Sequence, residues 1–122
     1  MPSIYIFDYD SDIVYVLCQW FSLNGFVTKG FLDAEELFIQ LKEHQPDFII
    51  MDCLFDGLAV TVNICKTLRN ILHYNGKILL TSTSSFSEKS LYACGASDFI
   101  TKPFDLSDVL NNVNKYLNST ST

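Results

Sequence analysis

Five short apolar runs alternate with stretches of helical periodicity, and this alternation constrains the fold more than any other feature of the chain. Ile4-Tyr5-Ile6-Phe7 reads as a buried strand ending at Asp8. Ile13, Val16, Leu17, Trp20 and Leu23 then recur at three- and four-residue spacing, the signature of a helix face. Ser11 is placed to cap its start and Gly25 to close its end. Phe26 to Gly30 reads as a second strand. Asp33-Ala34-Glu35-Glu36 has the form of a capping box, with acids where the helix dipole favours them. Leu37, Phe38 and Leu41 follow on that helix, and Pro46 lies beyond its end. Asp47 to Met51 is the clearest strand, because no polar residue interrupts it before Asp52, as expected for a strand covered on both faces.

The second half continues the pattern. A loop around Phe55-Asp56-Gly57 leads to a helix carrying Ile64, Leu68 and Leu72. Asn75-Gly76 turns the chain into a fourth strand, Lys77-Ile78-Leu79-Leu80-Thr81. A Ser/Thr-rich loop enters a helix from about Phe86 to Cys94, closed by Gly95. Asp98-Phe99-Ile100-Thr101 is a short fifth strand. Lys102-Pro103-Phe104 turns, Asp105 caps, and Val109, Leu110, Val113 and Leu117 face inward from a last helix. Strands alternating with helices predict an α/β fold, a doubly wound parallel sheet with helices on both faces. Right-handed crossovers limit its winding. In such sheets ligands bind beyond the carboxyl ends of the strands.

Length and charge narrow the class. The 122 residues fit one domain, here expected to span 1–118 with a disordered polar tail at 119–122. Eight Lys+Arg against 14 Asp+Glu leave a net charge of −6, which argues against nucleic acid as a direct ligand, since phosphate backbones call for Lys/Arg stripes. No apolar run approaches the roughly 20 residues of a spanning helix. The N-terminus reaches Asp8 too soon for an export signal, so a cytoplasmic location is expected. Cys18, Cys53, Cys65 and Cys94 are dispersed, form no C-x-x-C pair, and read as reduced, mostly buried thiols.

The reactive groups gather at the strand ends. Strand one ends in Asp8, with Asp10 and Asp12 close behind; strand three ends in Asp52; strand four ends in Thr81-Ser82-Thr83; strand five is followed by Lys102-Pro103. In a doubly wound sheet all of these project into one crevice. Clustered carboxylates repel unless a cation or an ammonium joins them, and a hard cation such as Mg²⁺ suits them.

With these residues in view, the chain resembles the receiver domains of bacterial response regulators, the family of the chemotaxis regulator. The resemblance rests on "PDFIIMD", ending in Asp52, and on "CGASDFITKPF" from Cys94 to Phe104. "IYIFDYDSD" is a weaker match to the family's acidic opening. The resemblance implies a flavodoxin-like (βα)5 sheet in strand order 2-1-3-4-5. It implies that Asp52 is a phosphoacceptor, Lys102 the lysine that offsets phosphoryl charge, Thr81 the hydroxyl that swings toward the phosphoryl group, and Phe99 the aromatic switch. It implies a cis peptide before Pro103. Asp8, Asp52 and the main-chain carbonyl of Leu54 would hold Mg²⁺, with Asp10 as a further candidate. The donor would be a histidine kinase or phosphotransfer protein. The output would be a protein target at a face built from the fourth and fifth helices and the fifth strand, with no direct nucleic acid or membrane partner. Such a domain is a phosphoacceptor in signalling rather than an enzyme.

Three departures qualify the match. The family usually has a second acid directly after the first, where this chain has Tyr9. After Asp52 it reads Cys53-Leu54-Phe55-Asp56-Gly57 in place of the family's proline-containing loop. The loop after strand four is one residue shorter, which leaves Ser82 and Thr83 as alternatives for the hydroxyl. Weak Mg²⁺ binding is therefore expected.

Two other functions compete. A pseudo-receiver would keep the fold and bind a partner without phosphorylation. A haloacid-dehalogenase-type phosphatase would use Asp8 as nucleophile in the D-x-D of Asp8-Tyr9-Asp10, with Thr81 and Lys102 in later roles, although Asp12 stands where Thr or Val is usual. Asp10, Asp12, Asp33 and Asp105 also read simply as caps, Trp20 as packing, and His44 and His73 as solvated.

Overall fold

Five strands, β1 (Ser3–Phe7), β2 (Val27–Phe31), β3 (Phe48–Asp52), β4 (Lys77–Ser82) and β5 (Asp98–Thr101), form one parallel sheet in the order β2-β1-β3-β4-β5. The computed structural model describes residues 1–53, 58–82 and 95–120. Its helices are α1 (Ser11–Leu23), α2 (Ala34–Glu43), α3 (Leu58–Lys66), a π-helical turn at Thr67–Ile71, and a C-terminal helix (Leu106–Thr120). The α/β class, the parallel sheet and the strand order agree with expectation. The helix expected from Phe86 to Cys94 lies outside the described residues.

Side-chain alternation along the strands builds two cores. Tyr5, Phe7, Ile49, Met51, Ile78 and Leu80 face one way and pack with Leu37 and Leu41 of α2 and Ile64, Cys65 and Leu68 of the third helical segment. Ile4, Ile6, Phe48, Ile50, Leu79 and Ile100 face the other way and pack with Leu17 and Phe21 of α1 and Val109 and Val113 of the C-terminal helix. β1 is buried along its whole length, and only the last residue of β3, Asp52, is less than fully buried. A strand covered on both faces has no room for polar side chains until it ends. The polar groups therefore collect at the strand termini.

Several element ends differ from the sequence reading. β2 and β3 each lie one residue later, and β4 extends to Ser82. The cap of α1 is Asp10 rather than Ser11: Asp10 is extended and its carboxylate accepts from the Asp12 N–H at 2.9 Å, while Ser11 is already helical. A carboxylate brings a full negative charge to the positive end of the helix, which a hydroxyl does not. Asp33 caps α2 as expected, accepting from the Glu36 N–H at 2.9 Å. The C-terminal helix runs through Ser119 and Thr120, two residues that the sequence assigned to a disordered tail. Once nucleated, a helix gains one hydrogen bond for each residue it fixes, so polar residues extend it.

Other contacts were not foreseen. The Leu72 N–H reaches back to the Thr67 carbonyl, which widens the end of the third helical segment into the π turn. From there Arg69 donates to the carbonyls of Gly95, Tyr74 and Gly76 at 2.7–3.0 Å, tying three segments together. His44 is exposed, as expected, and its Nδ1 also hydrogen-bonds the Tyr5 hydroxyl at 3.0 Å. Trp20 packs as expected, and its indole also donates to the Leu106 carbonyl at 2.9 Å, fastening α1 to the C-terminal helix. Cys53 and Cys65 are buried and in no disulfide, Cys18 is partly buried, and Cys94 lies outside the described residues.

Candidate functional site

Parallel strands present their carboxyl ends on one edge of the sheet, and in this chain that edge carries Asp8, Asp52, Thr81 and Lys102. Asp8 follows β1 directly and is 4% exposed. Its backbone N–H donates to the Phe31 carbonyl at 3.3 Å, and its Oδ1 accepts from the Asp10 N–H at 2.8 Å. The second contact is a local Asp turn, which the short Asp-Tyr-Asp spacing favours. Asp52 is the last residue of β3 and lies opposite Thr81 of β4 in the ladder. The next residue, Cys53, donates its N–H to the Thr81 carbonyl at 2.7 Å, so the two strand ends are fixed to each other.

Lys102 closes the site from the far side. Its backbone N–H donates to the Ser82 carbonyl at 2.6 Å, and its peptide bond to Pro103 is cis, as expected. Its Nζ lies 3.0 Å from Asp8 Oδ2 and 3.0 Å from Asp52 Oδ1. The three side chains are 13%, 5% and 12% exposed in the order Lys102, Asp8, Asp52. One ammonium thus bridges two carboxylates that are 44 residues apart in sequence and would otherwise repel.

The electrostatics follow from that burial. Desolvation pushes the Asp52 carboxyl above its ordinary value, the Lys102 hydrogen bond pulls it back down, and the charges of Asp8 and Asp10 push it up again. Burial pulls the Lys102 ammonium down, but the hydrogen bonds and charges of Asp8 and Asp52 outweigh it and raise the net value. Lys102 is accordingly a firmly held cation. Tyr9 is 45% exposed, with its ring against Phe7 at 5.1 Å between centroids. Burial of the phenol, then the charges of Asp52 and Asp33, raise its proton affinity, so it adds no negative charge to the site.

The remaining candidates divide clearly. Thr81 and Ser82 are both buried at the end of β4, and Thr83 lies outside the described residues. Phe99 is half-buried on β5, opposite Leu80, and packs against the core on the α2 and α3 side. Leu54 lies outside the described residues. Asp10 caps the N-terminus of α1, while its charge still reaches Asp52. The Lys102 contact to the Ser82 carbonyl was missed from the sequence, because a main-chain contact leaves no residue signature.

Lys102 Nζ already bridges the two carboxylates expected to hold Mg²⁺. A small divalent cation asks for near-octahedral oxygen and gives up its water reluctantly. Of the four oxygens of Asp8 and Asp52, three already accept hydrogen bonds, one from Asp10 N–H and two from Lys102. Among the described residues, no group of three His, Cys, Asp or Glu gathers where a metal ion could sit.

What the arrangement can do is receive an electrophile with anionic oxygens. Asp52 offers a carboxylate oxygen as nucleophile, Lys102 an adjacent positive charge, and Thr81 a hydroxyl on the neighbouring strand.

Comparison with known proteins agrees with this geometry. The family model described as the response regulator receiver domain matches residues 4–114. The phosphate regulon transcriptional regulatory protein PhoB of Rhizobium meliloti is 28% identical over 121 residues, covering 96% of this chain and 52% of that protein. The transcriptional regulatory protein PrrA of Mycobacterium tuberculosis is 28% identical over 120 residues, covering 95% of this chain and 50% of that protein. The chain thus spans about half the length of the curated relatives it matches. Among solved structures, the Francisella response regulator 1452 receiver domain superposes with a TM-score of 0.83 at 25% identity, covering 98% of this chain and 99% of that one. A two-component response regulator from Clostridium difficile superposes with a TM-score of 0.87 at 20% identity over 100% of both chains, a likeness of fold.

Proposed function

The chain belongs to the response regulator receiver domain family, and from that premise we propose that Asp52 accepts a phosphoryl group from a histidine kinase or phosphotransfer protein and thereby switches a protein-binding face. The observation that carries this reading is the Lys102 ammonium held 3.0 Å from the Asp52 carboxylate at the mouth of the crevice. A carboxylate attacks phosphorus to give an acyl phosphate, and catalysis of such a transfer is mostly positioning and charge neutralisation. β3 positions Asp52. Lys102 offsets charge on the incoming oxygens. Thr81, one strand away, supplies a hydroxyl.

The switch uses the same strands. Thr81 sits opposite Ile100 in the β4–β5 ladder, next to Phe99. A threonine side chain drawn toward a phosphoryl group vacates space beside β5, and Phe99 turns inward to fill it. The described part of the output face is β5 and the C-terminal helix; its expected third component, residues 86–94, lies outside the described residues. The partner is a protein in the cytoplasm, in keeping with the acidic charge. No helix among the described residues is long and apolar enough to cross a membrane. The domain is a signalling acceptor rather than an enzyme with turnover.

A second reading, a pseudo-receiver that binds its partner without phosphorylation, draws on Tyr9 in the acid's place and on Asp10 turned toward α1. Amide shift mapping separates the two. Addition of a small acyl phosphate is expected to move the amides around Thr81 and Phe99 in the wild type and to leave Asp52→Asn unmoved. A wild-type spectrum that does not respond would favour the pseudo-receiver.

A further inference from the structure

We infer that Lys102 is the resident cation of this site and excludes a divalent metal, so that Asp52 is phosphorylated independently of Mg²⁺. The inference deepens the phosphoacceptor reading and rests on it.

The geometry is that of an occupied cation position. Lys102 Nζ is equidistant, at 3.0 Å, from one oxygen of each acid. An ammonium is a compact charge with three donors, and two are spent on these oxygens. The third remains for a phosphoryl oxygen. The lysine is held there by its main chain, through the 2.6 Å contact to Ser82, and the acids are held by their strands and by the Asp10 N–H. A metal entering between Asp8 and Asp52 must expel the ammonium or share its oxygens. Among the described residues nothing replaces what it would lose. Tyr9 packs its ring on Phe7, and Asp10 is engaged with the Asp12 N–H.

The transfer step needs no metal to balance. The Asp52 oxygen not bonded to Lys102 attacks the phosphorus of a small acyl phosphate. A P–O bond forms, the P–O bond to the donor's carboxyl breaks, and the carboxylate leaves with the electron pair. No proton moves. Three negative charges enter and three leave.

The test has two arms. In the first, Mn²⁺ is titrated into the wild-type chain and into Lys102→Met, reading paramagnetic broadening of amides at the strand ends. Millimolar Mn²⁺ is expected to leave the wild-type amides of Asp52 and Lys102 sharp. Lys102→Met, which keeps the length and drops the charge, is expected to bind about tenfold more tightly or better. Broadening at Asp52 in the wild type, or equal affinity in the two proteins, overturns the inference; the wild-type result decides alone if the variant does not fold. In the second arm, acyl phosphate is added with Mg²⁺ or with EDTA. Equal phosphoryl incorporation supports the inference, and incorporation only with Mg²⁺ overturns it. Incorporation in neither condition contradicts the phosphoacceptor reading instead, and the Mn²⁺ arm still decides the cation.

Discussion

Asp52 and Thr81 are directly opposed across the β3–β4 ladder, and the N–H following Asp52 is hydrogen-bonded to the Thr81 carbonyl at 2.7 Å. The Asp52 carboxylate and the Thr81 hydroxyl are therefore carried on strand ends fixed in register by main chain. What remains free to move is the side chain. Thr81→Val keeps the β-branched shape and removes the hydroxyl. It is expected to leave stability within about 1 kcal/mol of wild type and to keep phosphoryl incorporation at Asp52, while the response of the Phe99 amide is lost. A Phe99 response that persists in Thr81→Val would show that the signal takes another route.

Burial makes Asp52 a costly charge. Its carboxyl lies above its ordinary value, first because of desolvation, with the Lys102 hydrogen bond opposing and the Asp8 charge adding. The folded state then holds that proton more tightly than the unfolded state, and stability falls as pH rises from the ordinary value through the raised one. Asp52→Asn removes the ionisation. It is expected to stabilise the fold at neutral pH by on the order of 1 kcal/mol, with the gain shrinking once acid protonates the wild-type carboxyl. Urea unfolding at neutral and acidic pH measures this. A variant less stable than wild type at neutral pH contradicts the account.

The core beneath α1 carries much of the stability. Phe21 is fully buried and meets Phe26 edge-on, with centroids 5.1 Å apart. Phe21→Ala leaves a cavity between the end of α1 and the amino ends of the strands, and a loss of about 3–5 kcal/mol is expected. Chemical denaturation should show it as a lower midpoint with an unchanged slope. A loss below about 1 kcal/mol would mean that the helix collapses onto the void.

Tyr9 is where a charged oxygen is missing. Tyr9→Asp adds one beside Asp8, and divalent cation affinity is expected to rise by about tenfold or more. Titration with Mg²⁺, followed by Trp20 fluorescence or amide shifts, gives the comparison. No gain in the variant would mean that side chains outside this pair set the affinity.

The sheet was legible in the sequence because both its faces are covered. Runs such as Phe48-Ile49-Ile50-Met51 carry no competing polar signal, and the carboxylates had nowhere to go but the strand ends. The joint presence of Asp8, Asp52, Thr81 and Lys102 at one edge followed from that. The side-chain directions did not. Asp10 was read both as a cap and, by resemblance, as a further ligand; the free N–H groups at the start of α1 hold it as the cap. The contact between His44 and Tyr5 left no local sign because the two are 39 residues apart. Arg69 reaches three carbonyls only because a π turn widens the end of its helix, and nothing in local composition marks that turn. The bridge from Lys102 to both acids depends on two independent strand ends meeting, which emerges only when the sheet is assembled.

Intact mass after incubation with a small acyl phosphate tests the central claim most directly. The account predicts the addition of one phosphoryl group to the wild-type chain and none to Asp52→Asn, because an amide is not a competent nucleophile at that position. An unmodified wild type, or equal addition to both proteins, would contradict it.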